Sequence, residues 1–143
     1  MMIKFRAWER VQNKMLLTDN IEFINGQDYW AEASADGQDE CSNDGKVDGI
    51  GALFELEQFT GLKDVNGKDI YEGDIVSVFN EDGNYYNDVI EWCIKYNYPA
   101  FDLKYHSYLY ASNALSEIMN AGVENIKVIG NAHENAELLK GWF

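Results

Sequence analysis

The sequence has few cysteines and no long apolar run. Cys41 and Cys93 are the only two cysteines, they lie far apart, and neither belongs to a C-x-x-C pair. This spacing favours neither a disulfide framework nor a zinc knuckle, so we expect reduced thiols. No segment approaches the roughly eighteen apolar residues of a membrane-spanning helix, and the first residues lack the apolar core of a signal peptide. We therefore expect a cytoplasmic protein in a bacterial host that does not enter a membrane.

Basic residues are also scarce. The chain has 11 Lys and Arg against 25 Asp and Glu, which gives a formal net charge of −14. Nucleic-acid affinity rests largely on contacts of Lys and Arg with phosphates, so this balance argues against direct binding of DNA or RNA. It favours a basic partner instead.

Candidate catalytic groups are few. His106 and His133 are the only histidines, and neither belongs to a recognisable catalytic or metal-binding motif. We expect each to be a surface residue or to be satisfied by hydrogen bonds. Cys93 lies in an apolar run, where a thiol normally acts as a small inert hydrophobic group. The sequence therefore predicts no catalytic, cofactor-binding or metal-ligating residue and no enzymatic activity.

The pattern of apolar residues predicts a mainly β fold in one domain. The 143 residues fit a single domain, and an apolar content of 46% is enough to form a core. Apolar residues alternate with polar ones, or form short runs, in several segments that we predict as strands: 3–8, 21–23, 53–59, 70–79, 89–95, 101–105, 108–111 and 126–129. Leu115 and Ile118 recur at helical spacing before Gly122, which predicts a short helix, and Asn135 is predicted to cap a final turn.

The most informative stretch, 58–76, combines two turns with the strands that they join. Asp64 and Asn66 suit a tight turn because their side chains can bond their own backbone, and Gly67 accepts a positive φ without steric cost. Apolar residues on both sides supply the faces of a sheet.

This stretch resembles the signature of the YopX family of phage and prophage proteins. Two further blocks agree with it in the family's order, Ile3-Lys4-Phe5-Arg6-Ala7-Trp8 with Met15 and Asp19-Asn20-Ile21, and Val128-Ile129-Gly130-Asn131 with Glu134-Asn135 and Glu137-Leu138-Leu139. The chain departs from the family pattern at Ala136, where the family tends to have proline. The resemblance implies a small, mainly β (α+β) protein with an SH3-like barrel. It implies no established activity and therefore no catalytic residues.

Residues 26–51 match no part of the family pattern. They are rich in Gly, Asp, Ser, Asn and Gln, with Tyr29 and Trp30 as the main residues to bury, and they predict an acidic, irregular insertion within a single domain of residues 1–143. A calcium loop is a sharper alternative. However, the EF-hand template aligned from Asp39 places Asp44 where a glycine is required, so we favour a solvated acidic loop.

Aromatic residues are dense between Trp92 and Tyr110. Most are expected to pack on the sheet, because aromatic residues are good strand formers. The alternative is a groove for a Lys- or Arg-rich segment, which would gain cation–π contacts and electrostatic steering. The predicted binding surface combines aromatic side chains with nearby carboxylates: Trp92, Tyr96, Tyr98, Tyr105, Tyr108, Asp82, Asp88 and Glu91.

These observations favour a non-enzymatic binding protein of phage or prophage origin that engages a basic protein partner, with homo-oligomerisation left open. The alternative is an acidic decoy that imitates nucleic acid and occupies the site of a host DNA- or RNA-binding protein. Mimicry requires the acidic charge to be segregated, because evenly spread charge would leave only about half of it on one face, too little to match the phosphate density of a duplex.

Overall fold

The computed structural model describes residues 3–10, 13–24, 27–34, 47–48, 54–93, 100–106 and 115–140. The fold is mainly β, as predicted, and is built from two antiparallel sheets, one of them curled as a half-barrel. The chain divides into two compact units, Met1–Phe59 and Thr60–Phe143. None of the helices in the described part is long and apolar enough to cross a membrane.

The first unit is an antiparallel sheet in the order β4-β3-β2-β1-β5. Its strands are β1 (Phe5–Glu9), β2 (Lys14–Ile24), β3 (Gln27–Ser34), β4 (Val47–Asp48) and the first part of β5 (Phe54–Lys63). Strand β1 pairs on both sides, and Arg6, Ala7, Trp8 and Glu9 are all buried. Burial of Arg6 is tolerated because its Nε donates to Glu57 Oε1 at 2.9 Å on the adjoining strand β5.

The prediction of an irregular segment at 26–51 is wrong for its first part. Strand β3 pairs with β2 from Leu17 opposite Ser34 to Ile24 opposite Gln27, and β4 pairs with β3. The sequence did contain a signal for this pairing, because the dipeptide Asn25-Gly26 is typical of two-residue hairpins. The polar composition of the whole segment obscured that signal. Asp39 and Asp44, from the calcium-loop alternative, lie outside the described residues.

The second unit contains a four-stranded antiparallel sheet in the order β10-β7-β8-β9. Its elements are the end of β5, β6 (Asp69–Tyr71), β7 (Asp74–Phe79), β8 (Tyr85–Cys93), β9 (Ala100–Leu103), α1 (Leu115–Asn120), β10 (Asn125–Asn131) and a 3₁₀ helix (Ala136–Leu139). The predicted helix at Leu115 is therefore confirmed, and Gly122 follows its end with a φ of +74°.

Each face of the four-stranded sheet carries a buried apolar cluster. On one face, Val76 and Ile90 form an apolar cluster with Leu115 of α1. On the other face, Ile75 forms a second cluster with Leu139 of the 3₁₀ helix. Neighbouring strand residues point to opposite faces, which is why Ile75 and Val76 enter different clusters. A helical segment thus packs against part of each face of the sheet.

Asn135 precedes the 3₁₀ helix, but its side chain does not cap it. Its Oδ1 instead accepts a hydrogen bond from the backbone N–H of Asn131 at 3.1 Å, back at the end of β10. The Oδ1 of Asn131 in turn accepts from the N–H groups of His133 and Glu134. The predicted cap is wrong because this oxygen is used to fix the turn after β10.

The predicted turn at Asp64–Gly67 is confirmed. Gly67 has a φ of +81°, and its N–H donates to the Asp64 carbonyl at 3.0 Å. Asp64 Oδ1 accepts from the N–H groups of Asn66 at 2.8 Å and Lys68 at 2.9 Å. Val65 donates its N–H to the carbonyl of Ile126 at 3.0 Å, so the turn also contacts β10.

Candidate binding surface around Trp92

Trp92 lies near the end of β8, and 51% of its surface is exposed. It is paired with Phe101 of β9, and the two rings meet edge to face with centroids 4.9 Å apart and an interplanar angle of 64°. Phe101 is half-buried and packs against the apolar cluster that contains Leu103. The indole is therefore held by a partly buried neighbour while much of it remains in solvent. An exposed but supported aromatic ring is typical of protein interfaces.

The other predicted residues on this surface do not all lie beside Trp92. Glu91 is half-buried and precedes Trp92 in β8, so its side chain points to the opposite face of the sheet. Asp82 is exposed in the turn before β8, where its N–H donates to Asn80 Oδ1 at 3.0 Å. At about 3.3 Å per residue, Trp92 lies some 23 Å along β8 from its first residue, Tyr85. The structure thus separates Asp82 from the predicted aromatic surface.

Asp88 is fully buried, so the prediction that it contributes to the binding surface is wrong. Its Oδ2 accepts from the backbone N–H of His106 at 2.8 Å and lies 2.7 Å from the ring Nδ1 of the same residue. The backbone N–H of Tyr105 also donates to this carboxylate at 3.1 Å. The charge is tolerated in the interior because these donors replace water. Asp88 fixes the turn that follows β9.

His106 is satisfied by hydrogen bonding, as predicted, and its partner is Asp88. The imidazole also stacks on Tyr86 of β8, with ring centroids 4.2 Å apart and an interplanar angle of 30°. The sequence did not indicate this cluster. Asp88 and His106 are 18 residues apart, and they meet only because β8 and β9 pair as neighbours.

Tyr105 contributes to packing as well as to the surface. It is half-buried and packs against the cluster that contains Ile75 and Val89. The Lys104 ammonium lies 5.4 Å from the centroid of its ring. Tyr96, Tyr98 and Tyr108 lie outside the described residues.

Two side chains of strands β8 and β9 had not been singled out. Tyr85, at the start of β8, is 58% exposed. Asp102 of β9 is only 2% exposed, and its Oδ1 has no hydrogen-bond partner in the part of the chain that the structure describes. Its burial and the charge of Glu91 on the facing strand raise the pKa of Asp102 to about 6. The sequence could not reveal this acidic pair, because it depends on the register between β8 and β9.

Cys93 is a buried free thiol, as predicted for a small hydrophobic residue. Cys41 lies outside the described residues.

The comparisons with known proteins agree with this mainly β architecture. A model of the YopX protein family matches residues 4–140, and the chain belongs to that family. The structure is similar to the crystal structure of protein EF1440 from Enterococcus faecalis, with a TM-score of 0.65 and 26% sequence identity. That similarity covers 98% of this chain and 99% of the other. No curated protein matches the sequence significantly.

Proposed function

We propose that this protein is a non-enzymatic binding protein of phage or prophage origin that engages a basic protein partner in the bacterial cytoplasm. The observation that supports the proposal is the position of Trp92, which is half exposed yet supported by the half-buried ring of Phe101. A rigid exposed indole is a preferred anchor at interfaces because it offers a large contact area at a small cost in side-chain entropy.

The charge of the chain supports a basic partner. With a formal net charge of −14, the protein attracts cationic segments over distances comparable to the Debye length. A Lys or Arg side chain that reaches the indole of Trp92 gains a cation–π contact in addition. Glu91 adds to the negative charge of the chain from the opposite face of the same strand. Asp88 is buried and fixes the turn after β9, so it does not contact the partner in this proposal.

The non-enzymatic part of the proposal is supported by the role of Asp88. A histidine beside a carboxylate resembles an acid–base pair, yet this carboxylate also accepts backbone N–H groups from Tyr105 and His106. Such bonds are expected where a carboxylate holds a turn in place.

The alternative, an acidic decoy of a nucleic-acid-binding protein, is less well supported. A mimic of a duplex needs its acidic groups exposed in rows. Six carboxylate residues of the described part are instead buried: Glu9, Glu57, Asp64, Asp74, Asp88 and Asp102. The acidic side chains between residues 28 and 48 lie outside those whose environment is described.

The test compares protein captured from a bacterial host lysate by the immobilised wild type and by two variants. Trp92→Ala removes the proposed anchor. Tyr85→Ala removes the other exposed aromatic residue of β8 and serves as the matched control. We expect Trp92→Ala to lose a basic protein that the wild type and Tyr85→Ala retain. Binding kinetics of that protein should show a slower association as salt is added.

Three outcomes would count against the proposal. Equal capture by wild type and Trp92→Ala would exclude Trp92 as the anchor. A captured protein that is not basic would contradict the charge argument. Release of the captured protein by duplex DNA, with no effect of Trp92→Ala, would favour the decoy instead.

A further inference from the structure

Glu91 and Asp102 face each other across the pairing of β8 and β9. Side chains directly opposite in an antiparallel pair have Cβ atoms about 4.5–5.5 Å apart. Asp102 is buried and Glu91 is half-buried, so water screens their charges poorly. Two carboxylates in such a position repel each other when both are ionised, whereas a single shared proton converts the repulsion into a hydrogen bond.

The unpaired Oδ1 of Asp102 is the atom that would carry the shared proton. Asp102 Oδ1 is buried and has no partner within the described ranges. A buried acceptor left unpaired normally costs free energy. Protonation turns the Asp102 carboxyl group into a donor, and Glu91 on the facing strand offers an acceptor.

We propose that Asp102 and Glu91 share a proton, so that the edge strand β9 is held to β8 more tightly in mildly acidic solution than at neutral pH. The inference goes beyond the proposed function and does not depend on it. Strand β9 is well suited to such control because it is the last strand of the four-stranded sheet and pairs with β8.

The direction of the pH effect follows from the folded-state pKa of Asp102. Burial, followed by the charge of Glu91, raises this pKa from 3.8 to about 6, and Asp88 raises it further by a smaller amount. A hydrogen bond from the backbone of Leu103 opposes the shift. A raised folded-state pKa adds stability that is complete below about pH 3.8 and is lost as the pH rises through about 6.

Other titratable groups on the neighbouring elements are placed differently. The thiol of Cys93 is buried on the same face as Glu91, two residues along β8. Glu117 of α1 and Glu137 of the 3₁₀ helix are exposed. The ammonium of Lys104 lies over the ring of Tyr105. His106, just after β9, contacts Asp88. Of all these groups, Glu91 is the one that lies directly opposite Asp102 in the strand pairing.

The pairing of β9 with β8 also supports Trp92. Phe101, which meets the Trp92 ring edge to face, is adjacent to Asp102 in β9. A looser β9 would leave the indole less constrained. Protonation of Asp102 would in this way constrain the surface around Trp92 more tightly.

The first test measures the melting temperature near pH 5 and near pH 7.5, in EDTA to exclude metal ions. It compares the wild type with Asp102→Asn, whose neutral amide can donate to Glu91 at either pH. Asp82→Asn, at an exposed position, is the matched control for the general loss of acidic repulsion. We expect Asp102→Asn to have a higher melting temperature than the wild type near pH 7.5. Between pH 7.5 and pH 5, the melting temperature of Asp102→Asn should rise much less than those of the wild type and Asp82→Asn.

The second test titrates the Asp102 carboxyl carbon by NMR in the wild type and in Glu91→Gln. We expect a midpoint near 6 in the wild type and a lower midpoint in Glu91→Gln, because the facing charge has been removed. The proposal is overturned if the pKa of Asp102 is near its ordinary value, or if the titration midpoint of Asp102 is the same in Glu91→Gln as in the wild type. An unchanged pH dependence of melting in Asp102→Asn would also overturn it. Should Asp102→Asn fail to fold, the titration in Glu91→Gln decides alone.

Discussion

The backbone N–H of Val128 donates to Asp64 Oδ2 at 2.9 Å, which joins two residues 64 positions apart. The other carboxylate oxygen accepts the N–H groups of Asn66 and Lys68 within the turn. Burial by itself would raise the pKa of Asp64, but the backbone hydrogen bonds from Val128, Lys68 and Asn66 outweigh it and lower the pKa below its usual value. One ionised side chain thus fixes both the turn and its attachment to β10.

Asp64→Asn should destabilise the protein by about 1–3 kcal/mol, because one carboxylate oxygen is replaced by a donor and at least one backbone N–H loses its acceptor. Asn66→Ala is the control, since Asn66 is exposed and contributes its backbone N–H to this network. The free energy of unfolding in urea would measure both. Equal losses for the two variants would contradict the role assigned to the Asp64 side chain.

The pH dependence of Asp64 has the opposite sign to that of Asp102. Because its folded-state pKa is lowered, Asp64 adds stability that is present above about pH 3.8 and is lost as the pH falls through the lower folded-state value. Asp64→Asn should therefore lose less stability than the wild type when the pH is taken from about 5 to about 2.5. Parallel urea midpoints for the two proteins across this range would show that Asp64 does not contribute to acid unfolding.

Gly67→Val should lower the melting temperature through backbone strain alone. The φ of +81° disfavours a β-branched side chain, whereas no atom lies within 4 Å of the position that a Cβ would take. Gly67→Asn should be milder, because asparagine adopts this conformation more readily. An unchanged melting temperature for Gly67→Val would exclude the strain. Capture of the partner by folded Gly67→Val should match that by the wild type.

Gly130→Ala should destabilise the protein by steric conflict, by about 1–3 kcal/mol. A Cβ at this position would lie 2.6 Å from Asn135 Oδ1 and 2.8 Å from Asn135 Cβ. The double variant with Asn135→Ala should recover part of the loss, although it also removes the hydrogen bond to the N–H of Asn131. A double-mutant cycle of unfolding free energies measures the coupling. Additive losses would mean that the conflict in Gly130→Ala does not involve the Asn135 atoms beyond Cβ.

Asp88→Ala should lower the unfolding free energy by about 1–3 kcal/mol, since it leaves the backbone N–H groups of Tyr105 and His106 without their buried acceptor. Asp82→Ala, at an exposed carboxylate on the turn before β8, should change stability by less than about 0.5 kcal/mol. Chemical unfolding of the two variants side by side checks the assignment. If Asp88→Ala does not lower stability, water or another acceptor takes the place of the carboxylate.

The features that the sequence predicted are those that depend on local pattern. The turn at Asp64 was predictable because Asp, Asn and Gly each have a turn-specific property and occur together. The helix at Leu115 was predictable because its buried residues recur at helical spacing ahead of Gly122. Trp92 was placed correctly on a strand, and half of its surface is exposed.

The features that were missed depend on which strands are neighbours. Asp88 appeared to be one of many surface acids, but the turn after β9 brings His106 against it. Asp102 meets Glu91 only in one register of β8 and β9, and a shift of one residue would turn its side chain to the other face. The Asn135 side chain could either cap the 3₁₀ helix or accept a hydrogen bond from the backbone N–H of Asn131. It accepts the bond from Asn131 and therefore does not cap the helix.

The turn at Asp64–Gly67 also occupies hydrogen-bonding groups of strand β10. Strand β10 ends the order of its sheet, and an edge strand presents N–H and C=O groups on which a strand of another molecule can add. Here the carbonyl of Ile126 already accepts from Val65, and the N–H of Val128 already donates to Asp64. The turn therefore occupies hydrogen-bonding groups that would otherwise be open to intermolecular β-pairing, and its loss would favour aggregation as well as unfolding.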